Sequence, residues 1–255
     1  MTVSGGGADV IVYVAVPSAA VQDAAGRAGG LDAFLSPEER NASLRFRRAE
    51  DRLDYAASHA LFRLLAAWRL GRAPEDAAVL DVRRTCAGCG GTDHGKPSVG
   101  GVAVSMSRSH GTVMAVAGPA GASLGADIER VPAEVFAGFD DFALAPEERP
   151  GPDGPELTDA GRIRLWVAKE AVLKAAGLGL AVDPSSVLLV PAGSAGSAGS
   201  STAGTLRSKS RGNPAVHGLL VCPVPAPGGY AAAVAATAGL PAQSVSLAEI
   251  FATKG

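Results

Sequence analysis

Several stretches of this chain place apolar residues on alternate positions, while two longer stretches repeat them every three to four residues. A fold built from these segments must combine β-strands with helices. DVIVYVAV (9–16) is β-branched and opens the chain as a strand. VAVSMS and TVMAVAG are short alternating segments joined by Arg108-Ser109-His110-Gly111, the pattern of a hairpin with a polar connection. In SLGADIE (123–129), Leu124, Ala126 and Ile128 point one way, and Gly125, Asp127 and Glu129 the other. PSSVLLV (184–190), AVHGLLVCPV (215–224) and YAAAVAAT (230–237) also read as strands. Ser36, Pro37 and Glu39 form a capping box with proline at the first helical position. The helical pattern after it runs to about Gly71 as two helices, with Leu53, Ala57, Ala60, Leu61, Leu64, Leu65 and Trp68 as its stripe. The second helical stretch, 160–176, carries Leu165, Ala168, Val172 and Ala175, with Gly177 and Gly179 to end it.

The chain has 255 residues, 47% of them hydrophobic, which suffices for one large domain or two small ones. Lys and Arg total 23 against 25 Asp and Glu, so no global field draws it to nucleic acid or an anionic membrane. Any anionic ligand must be met by a local basic cluster. No apolar run approaches the roughly 18 residues of a membrane helix, and the N-terminus lacks the charged flank and apolar stretch of a signal peptide. Three cysteines, an odd number, argue against a disulfide framework and for a reducing compartment, so a cytoplasmic protein is expected. Residues 85–101 read as Gly-rich loop, 146–156 as a Pro-rich charged stretch, and the Gly/Ser/Ala segment 192–204 as disordered.

Asp127 and Glu129 lie at i and i+2 on a strand and project from one face, where two carboxylates repel unless a cation neutralises them. A solvated edge strand would explain that pair alone. Glu170 and Lys174, one turn apart on a helix, add a third carboxylate and a lysine, although a surface ion pair would explain these two by themselves. Three carboxylates suit Mg²⁺, a hard ion that keeps waters and phosphate oxygens as its remaining ligands; Lys169 and Lys174 would offset phosphate charge. Gly95-Lys96-Pro97 and the Ser109-His110 pair supply small residues, donors and charge for a phosphorylated ligand. Cys86 and Cys89 with His94 invite a zinc reading, for which Asp93 would be the fourth ligand; the expectation is instead a tight Gly-rich turn with two small thiols. His59, Trp68 and Trp166 read as packing residues.

Taken in order, Gly-Lys-Pro (95–97), Ser109-His110, Gly125-Ala-Asp-Ile-Glu129 and Trp166-x-x-Lys-Glu-x-x-x-Lys-x-x-Gly-x-Gly-Leu180 resemble the 4′-phosphopantetheinyl transferases of the surfactin-synthetase-activating type. The resemblance covers roughly residues 35–190. It implies an α/β fold of two pseudo-symmetric halves, 1–118 and 119–255, with coenzyme A in the cleft between them; the low-complexity composition makes 192–212 an expected disordered loop. The resemblance also implies that phosphopantetheine passes from coenzyme A to a serine of an acyl or peptidyl carrier protein, and that a monomer suffices. Asp127, Glu129 and Glu170 match the family's Mg²⁺ ligands. Lys174 matches the lysine that helps the departing 3′,5′-ADP, and Lys96, Pro97, Ser109 and His110 match positions around the adenosine end. Arg45, Arg48 and Arg52 offer further phosphate contacts, as does Lys169. Glu147, 18 residues after Glu129 and with Glu148 beside it, matches the proton acceptor of some family members, although a capped, solvated turn would explain this stretch equally. Where the family often shows Phe-Asn-x-Ser-His-Ser, this chain has Met106-Ser-Arg-Ser-His-Gly111, losing an Asn and gaining an Arg. The Arg-rich segment 45–52 and the loop after Glu129 are the expected docking surfaces for an acidic carrier. Two rival readings use the same residues: an Mg²⁺-dependent phosphohydrolase of coenzyme A or a related nucleotide, and a module that binds coenzyme A or a carrier without turnover.

Overall fold

The computed structural model describes residues 10–86, 88–92, 94–151, 156–193, 204–210, 212–237 and 239–252, with only the backbone at Leu180. In chain order the elements are β1 (Ile11–Pro17), α1 (Ser18–Gly26), α2 (Pro37–Ser43), α3 (Ala49–Arg69), β2 (Val82–Thr85), β3 (Lys96–Val99), β4 (Ala103–Ser109), β5 (Thr112–Gly118), β6 (Leu124–Arg130), α4 (Phe139–Ala143), α5 (Asp159–Ala176), β7 (Val187–Pro191), β8 (Leu206–Ser210), β9 (Leu220–Val224), β10 (Tyr230–Ala236), β11 (Ala242–Ser244) and α6 (Leu247–Phe251).

Two sheets organise the molecule. The first has the order β11-β1-β5-β4 and the second β6-β10-β9-β8-β7, while β2 and β3 form a separate ribbon. Pairing is antiparallel except between β1 and β11. Period-two alternation decides what each face touches. Ile11, Tyr13, Met114 and Val116 of the first sheet meet Leu124, Ala126, Ile128, Ala232 and Val234 of the second in one apolar cluster. The intervening residues face outward: Val12, Val14, Val113 and Ala115 pack under α3, and Ala231, Ala233 and Ala235 pack under α5. The result is an α/β architecture of four layers, helix, sheet, sheet, helix.

The helices start where the sequence expects. At α2 the Ser36 hydroxyl accepts from the Glu39 amide, and the Glu39 carboxylate accepts from the Ser36 amide. Thr158 caps α5 through the Gly161 amide, and Gly177, at φ 74°, closes its other end. Gly125 sets how closely α5 approaches β6. A Cβ there would stand 2.0 Å from the Ala171 carbonyl oxygen and 2.3 Å from the Ala175 nitrogen.

Two loop expectations are corrected. Within 85–101, Lys96–Val99 is strand β3, paired with β2. Within 192–212, Leu206–Ser210 is strand β8, held because Ser208 is buried and donates its hydroxyl proton to the Val216 carbonyl while the strand bridges β7 and β9. Residues 194–203 and 211 lie outside the described residues. The boundary expected at 118/119 falls in the turn between β5 and β6, yet the first sheet takes its edge strand β11 from residues 242–244. No helix among the described residues is long and apolar enough to cross a membrane.

Candidate active site

β4 is one edge of the first sheet and β6 one edge of the second, and the serines on alternate positions of β4 tie the two edges together. Ser105 Oγ accepts from the Ala126 amide at 3.1 Å. Ser107 Oγ donates to Asp127 Oδ1 at 2.7 Å, and Ser109 Oγ donates to Glu129 Oε2 at 2.6 Å. The Arg130 amide in turn donates to Ser109 Oγ. Because the hairpin keeps β4 straight to Ser109, Ser105, Ser107 and Ser109 all face β6. Ser105 and Ser107 are the site residues the sequence reading passed over, and the Ser-x-Ser-x-Ser spacing was their signal.

The carboxylates stand on the face of β6 that meets α5. Asp127 is 2% exposed. Its Oδ1 receives the Lys174 ammonium at 2.6 Å, and Lys174 also donates to Ser107 Oγ at 3.0 Å. Its Oδ2 is buried with no hydrogen-bond partner among the described residues, and so is Glu170 Oε1. Burial, with Asp127 as a like charge beside it, pushes the Glu170 carboxyl up to about 7. Burial raises Glu129 as well, against the pull of Ser109 and Lys174. One ammonium thus stands among three carboxylates, two of which keep an unsatisfied buried oxygen. Such atoms are costly alone and are what a hard divalent cation binds, so this donor set fits Mg²⁺. The ligand atoms of the three carboxylates do not all lie within 4.8 Å of one another. Among the described residues, the acidic, histidine or cysteine groups whose ligand atoms all lie within 4.8 Å of one another are Cys86, Cys89 and His94 instead.

The β4–β5 turn is His110-Gly111, with φ of 44° and 85°, the left-handed pair that a two-residue hairpin with this twist needs. Histidine tolerates this conformation because both sides of the turn are anchored. Tyr230 donates its hydroxyl proton to the His110 carbonyl at 2.5 Å, and the Gly111 amide donates to Asp54 at 2.8 Å. Ser109 has spent its only proton on Glu129, so its 2.9 Å contact with His110 Nδ1 requires the ring to donate. Nε2 is then the nitrogen left for a ligand, and it donates to a phosphate only from the imidazolium. Tyr230 carries no sequence signal for this role.

The remaining expected residues divide. Lys96 reaches from β3 to the end of α5, where its ammonium donates to the Ala175 carbonyl at 2.6 Å, and burial lowers its pKa. Pro97 follows it, opposite Arg84. Arg45, Arg48 and Arg52 are exposed around the start of α3. Arg108 lies over the Phe46 and Tyr55 rings at 5.7 and 5.2 Å and is held by cation–π contact. Glu147 is exposed on a short 3₁₀ turn, Pro146–Glu148. Glu148 is fully engaged: Oε1 accepts from the Leu189 amide, Oε2 from the Ala145 amide and the Lys169 ammonium.

Lys169 is a correction. It is fully buried, and its ammonium is held by Glu148 at 2.5 Å, the Ala143 carbonyl at 2.7 Å and the Pro184 carbonyl at 3.2 Å. Consecutive helix positions point about 100° apart, so Glu170 faces β6 while Lys169 turns under the loops around α4. It anchors those loops and is closed to a phosphate. His59, expected to pack, is buried against the Tyr55 ring and hydrogen-bonded to Glu39.

Cys86, Cys89 and His94, expected as a simple Gly-rich turn, converge. Cys89 Sγ lies 3.3 Å from His94 Nε2, and the Cys89 and Gly88 amides directed at the Cys86 sulfur bring its thiol down to about 7. Asp93 lies outside the described residues.

Comparison with known proteins places this geometry. Residues 123–234 match the family model of the 4′-phosphopantetheinyl transferase superfamily, a span that contains Asp127, Glu129, Glu170 and Lys174. No curated protein sequence matches the chain.

Proposed function

We propose that this protein transfers 4′-phosphopantetheine from coenzyme A to a serine of an acyl or peptidyl carrier protein, with Mg²⁺, releasing 3′,5′-ADP. The observation that carries the reading is the pair of buried, unpartnered oxygens on Asp127 and Glu170 beside Lys174, inside the span that matches the superfamily. Asp127, Glu129 and Glu170 would hold the ion, which supplies charge neutralisation at the pyrophosphate of coenzyme A.

The residues of the chain supply the rest. In the transfer, the carrier serine oxygen bonds to the β-phosphorus, the bond to the ADP oxygen breaks, and the serine proton needs an acceptor. Of the adjacent pair Glu147 and Glu148, only Glu147 faces solvent, whereas Glu148 holds Lys169 and two amides. Glu147 is therefore the proton acceptor in this reading. Lys174, with its side chain 29% exposed, stabilises charge growing on the departing ADP. In this reading His110 on the hairpin turn and Lys96 and Pro97 on β3 would meet the adenosine end of coenzyme A. Arg45, Arg48 and Arg52 form an exposed basic surface for an acidic carrier, and the loop after Glu129 adds Phe136, 59% exposed, as an apolar contact.

Intact-mass spectrometry of an apo carrier incubated with the protein, coenzyme A and Mg²⁺ tests this. The expected result is a gain of one phosphopantetheine that is lost when Asp127→Ala is used. Consumption of coenzyme A with no gain on fatty-acid, polyketide and peptide carriers would replace the transferase with a phosphohydrolase. Intact coenzyme A with no gain would leave a binding module.

A further inference from the structure

We propose that Cys86, Cys89 and His94 bind one zinc ion, which clips the tip of the β2–β3 ribbon and is separate from the carboxylate site. Two thiolates and an imidazole are the donor set that selects a borderline-soft metal over Mg²⁺. Two residues between the cysteines is the spacing of zinc-binding turns.

The geometry carries the inference. Zinc bonded to sulfur at about 2.3 Å and to nitrogen at about 2.0–2.1 Å, at a tetrahedral angle, sets the two ligand atoms roughly 3.5 Å apart. Cys89 Sγ and His94 Nε2 already stand 3.3 Å apart, and all three ligand atoms lie within 4.8 Å of one another. The loop backbone is folded around the sulfurs. The Gly88 and Cys89 amides point at Cys86 Sγ, and the Gly91 amide donates to Cys89 Sγ at 3.4 Å. The Cys86 amide donates to the Gly91 carbonyl and the Gly90 amide to the Cys86 carbonyl, each at 2.9 Å, with Gly90 in the left-handed region at φ 71°. Amides directed at sulfur stabilise thiolates, which are the metal-binding form.

The return strand is shaped to bring His94 back. Thr85 pairs with Lys96, and Gly95 between His94 and Lys96 has φ 98°. A Cβ at Gly95 would stand 2.3 Å from the Thr85 carbonyl oxygen, so only glycine closes the ribbon this tightly beside Cys86. Cys89 and His94 are exposed and Cys86 partly so, which gives an ion its entry path. Water would take the fourth position on the ion. Lys96, two residues past His94, reaches the end of α5, so the clip fixes the ribbon that carries this lysine toward the second half of the chain.

Binding releases whatever protons the two thiols still carry and involves no change of oxidation state. The test is metal content of the full chain by plasma mass spectrometry, after loading with zinc and dialysis against metal-free buffer under reductant. About one zinc per chain is expected for the wild type and for Glu170→Gln, and less than about a tenth of that for Cys89→Ser and His94→Ala. Because these side chains sit on an exposed loop, far-UV circular dichroism of the variants should match the wild type. Cobalt(II) in place of zinc should give the wild type the intense visible bands of a tetrahedral thiolate site. A zinc-free wild type, equal zinc in all the variants, a cobalt spectrum without thiolate bands, or a Cys86–Cys89 disulfide that excludes metal would each overturn the proposal. None of these readouts depends on transferase activity.

Discussion

Glu39 and Glu170 are both buried, and their surroundings push their carboxyls in opposite directions. At Glu39, burial alone would raise the pKa, but hydrogen bonds from His59 and from Arg63, the latter at 2.5 Å, carry it down to about 2. Burial lowers His59 in turn, so Arg63, itself 4% exposed and bonded to the Ala77 and Leu80 carbonyls, is the lasting countercharge. A depressed carboxylate stabilises the fold above its unfolded pKa, so this contribution is present above about pH 4.5 and drains away as pH falls toward 2. Glu39→Gln leaves Arg63 buried and unpaired; urea unfolding at pH 7 should show a loss of about 3–5 kcal/mol, and the variant should decline less steeply than the wild type below pH 4.5. Glu170 behaves inversely. Its carboxyl is raised to about 7, so the fold favours the protonated form and loses that stability as pH rises through 7. In metal-free buffer at pH 8, Glu170→Gln should therefore be more stable than wild type, by on the order of 3 kcal/mol, and the gap should close by pH 4–5. Mg²⁺ added at pH 8 should raise the wild-type midpoint and leave the variant's where it was. An unchanged wild-type midpoint would remove the cation from this site. In the sequence, Asp127, Glu129 and Glu170 stood out only as a set, because a solvated edge strand explains the first two and a surface ion pair explains Glu170 with Lys174. Lys169 was misread because a motif gives its position on the helix and not which neighbouring loops cover it.

Between elements, α5 approaches β6 closely, and this approach depends on one absent side chain. Gly125→Ala would drive a methyl into the α5 backbone at Ala171 and Ala175, where no side-chain rotation relieves the clash. The helix must lift, which moves Glu170 and Lys174 away from Asp127. A loss of about 1–3 kcal/mol is expected in urea unfolding, together with a fall in transfer rate larger than the lost folded fraction explains. A variant with unchanged rate and stability would show that α5 slides without cost. The strongly periodic elements, α3, α5 and β6, were readable because their apolar residues recur at helical or alternating spacing. The ribbon β2–β3 and the strands β8 and β11 were not, being three to five residues long with exposed or polar positions throughout. Their pairing is decided by partners distant in sequence, such as Ile11 with Ala242 and Val190 with Arg207. Convergence of Cys86, Cys89 and His94 escaped for the same reason, since it needs the Thr85–Lys96 register that no local pattern encodes.

At the scale of the whole chain, the inner faces of both sheets share a single apolar cluster, and β11 and α6 fold back onto the first sheet. β11 lies parallel to β1, Ile250 of α6 is 1% exposed, and the Phe251 ring meets Phe34 edge-on at 5.4 Å. Ending the chain after Leu240 strips the β1 edge and uncovers Phe34; burial of Ile250 alone is worth about 1.5–3 kcal/mol, so a loss of at least that size is expected. The two tryptophans report separately on the two ends of the molecule, Trp68 from α3 under the first sheet and Trp166 from α5 under the second. Single-tryptophan forms, Trp68→Phe and Trp166→Phe, made with and without residues 241–255, distinguish two physical pictures. If Ile11, Tyr13, Met114 and Val116 are bound to Leu124, Ile128 and Val234 as one cooperative core, the truncation lowers both fluorescence midpoints in urea by the same amount. If each sheet with its helices is a unit of its own, only the Trp68 signal moves and the Trp166 transition stays in place. The shared cluster favours the first outcome. It implies that the carboxylates of β6 are held in place partly by a strand and helix attached more than a hundred residues later to the opposite sheet.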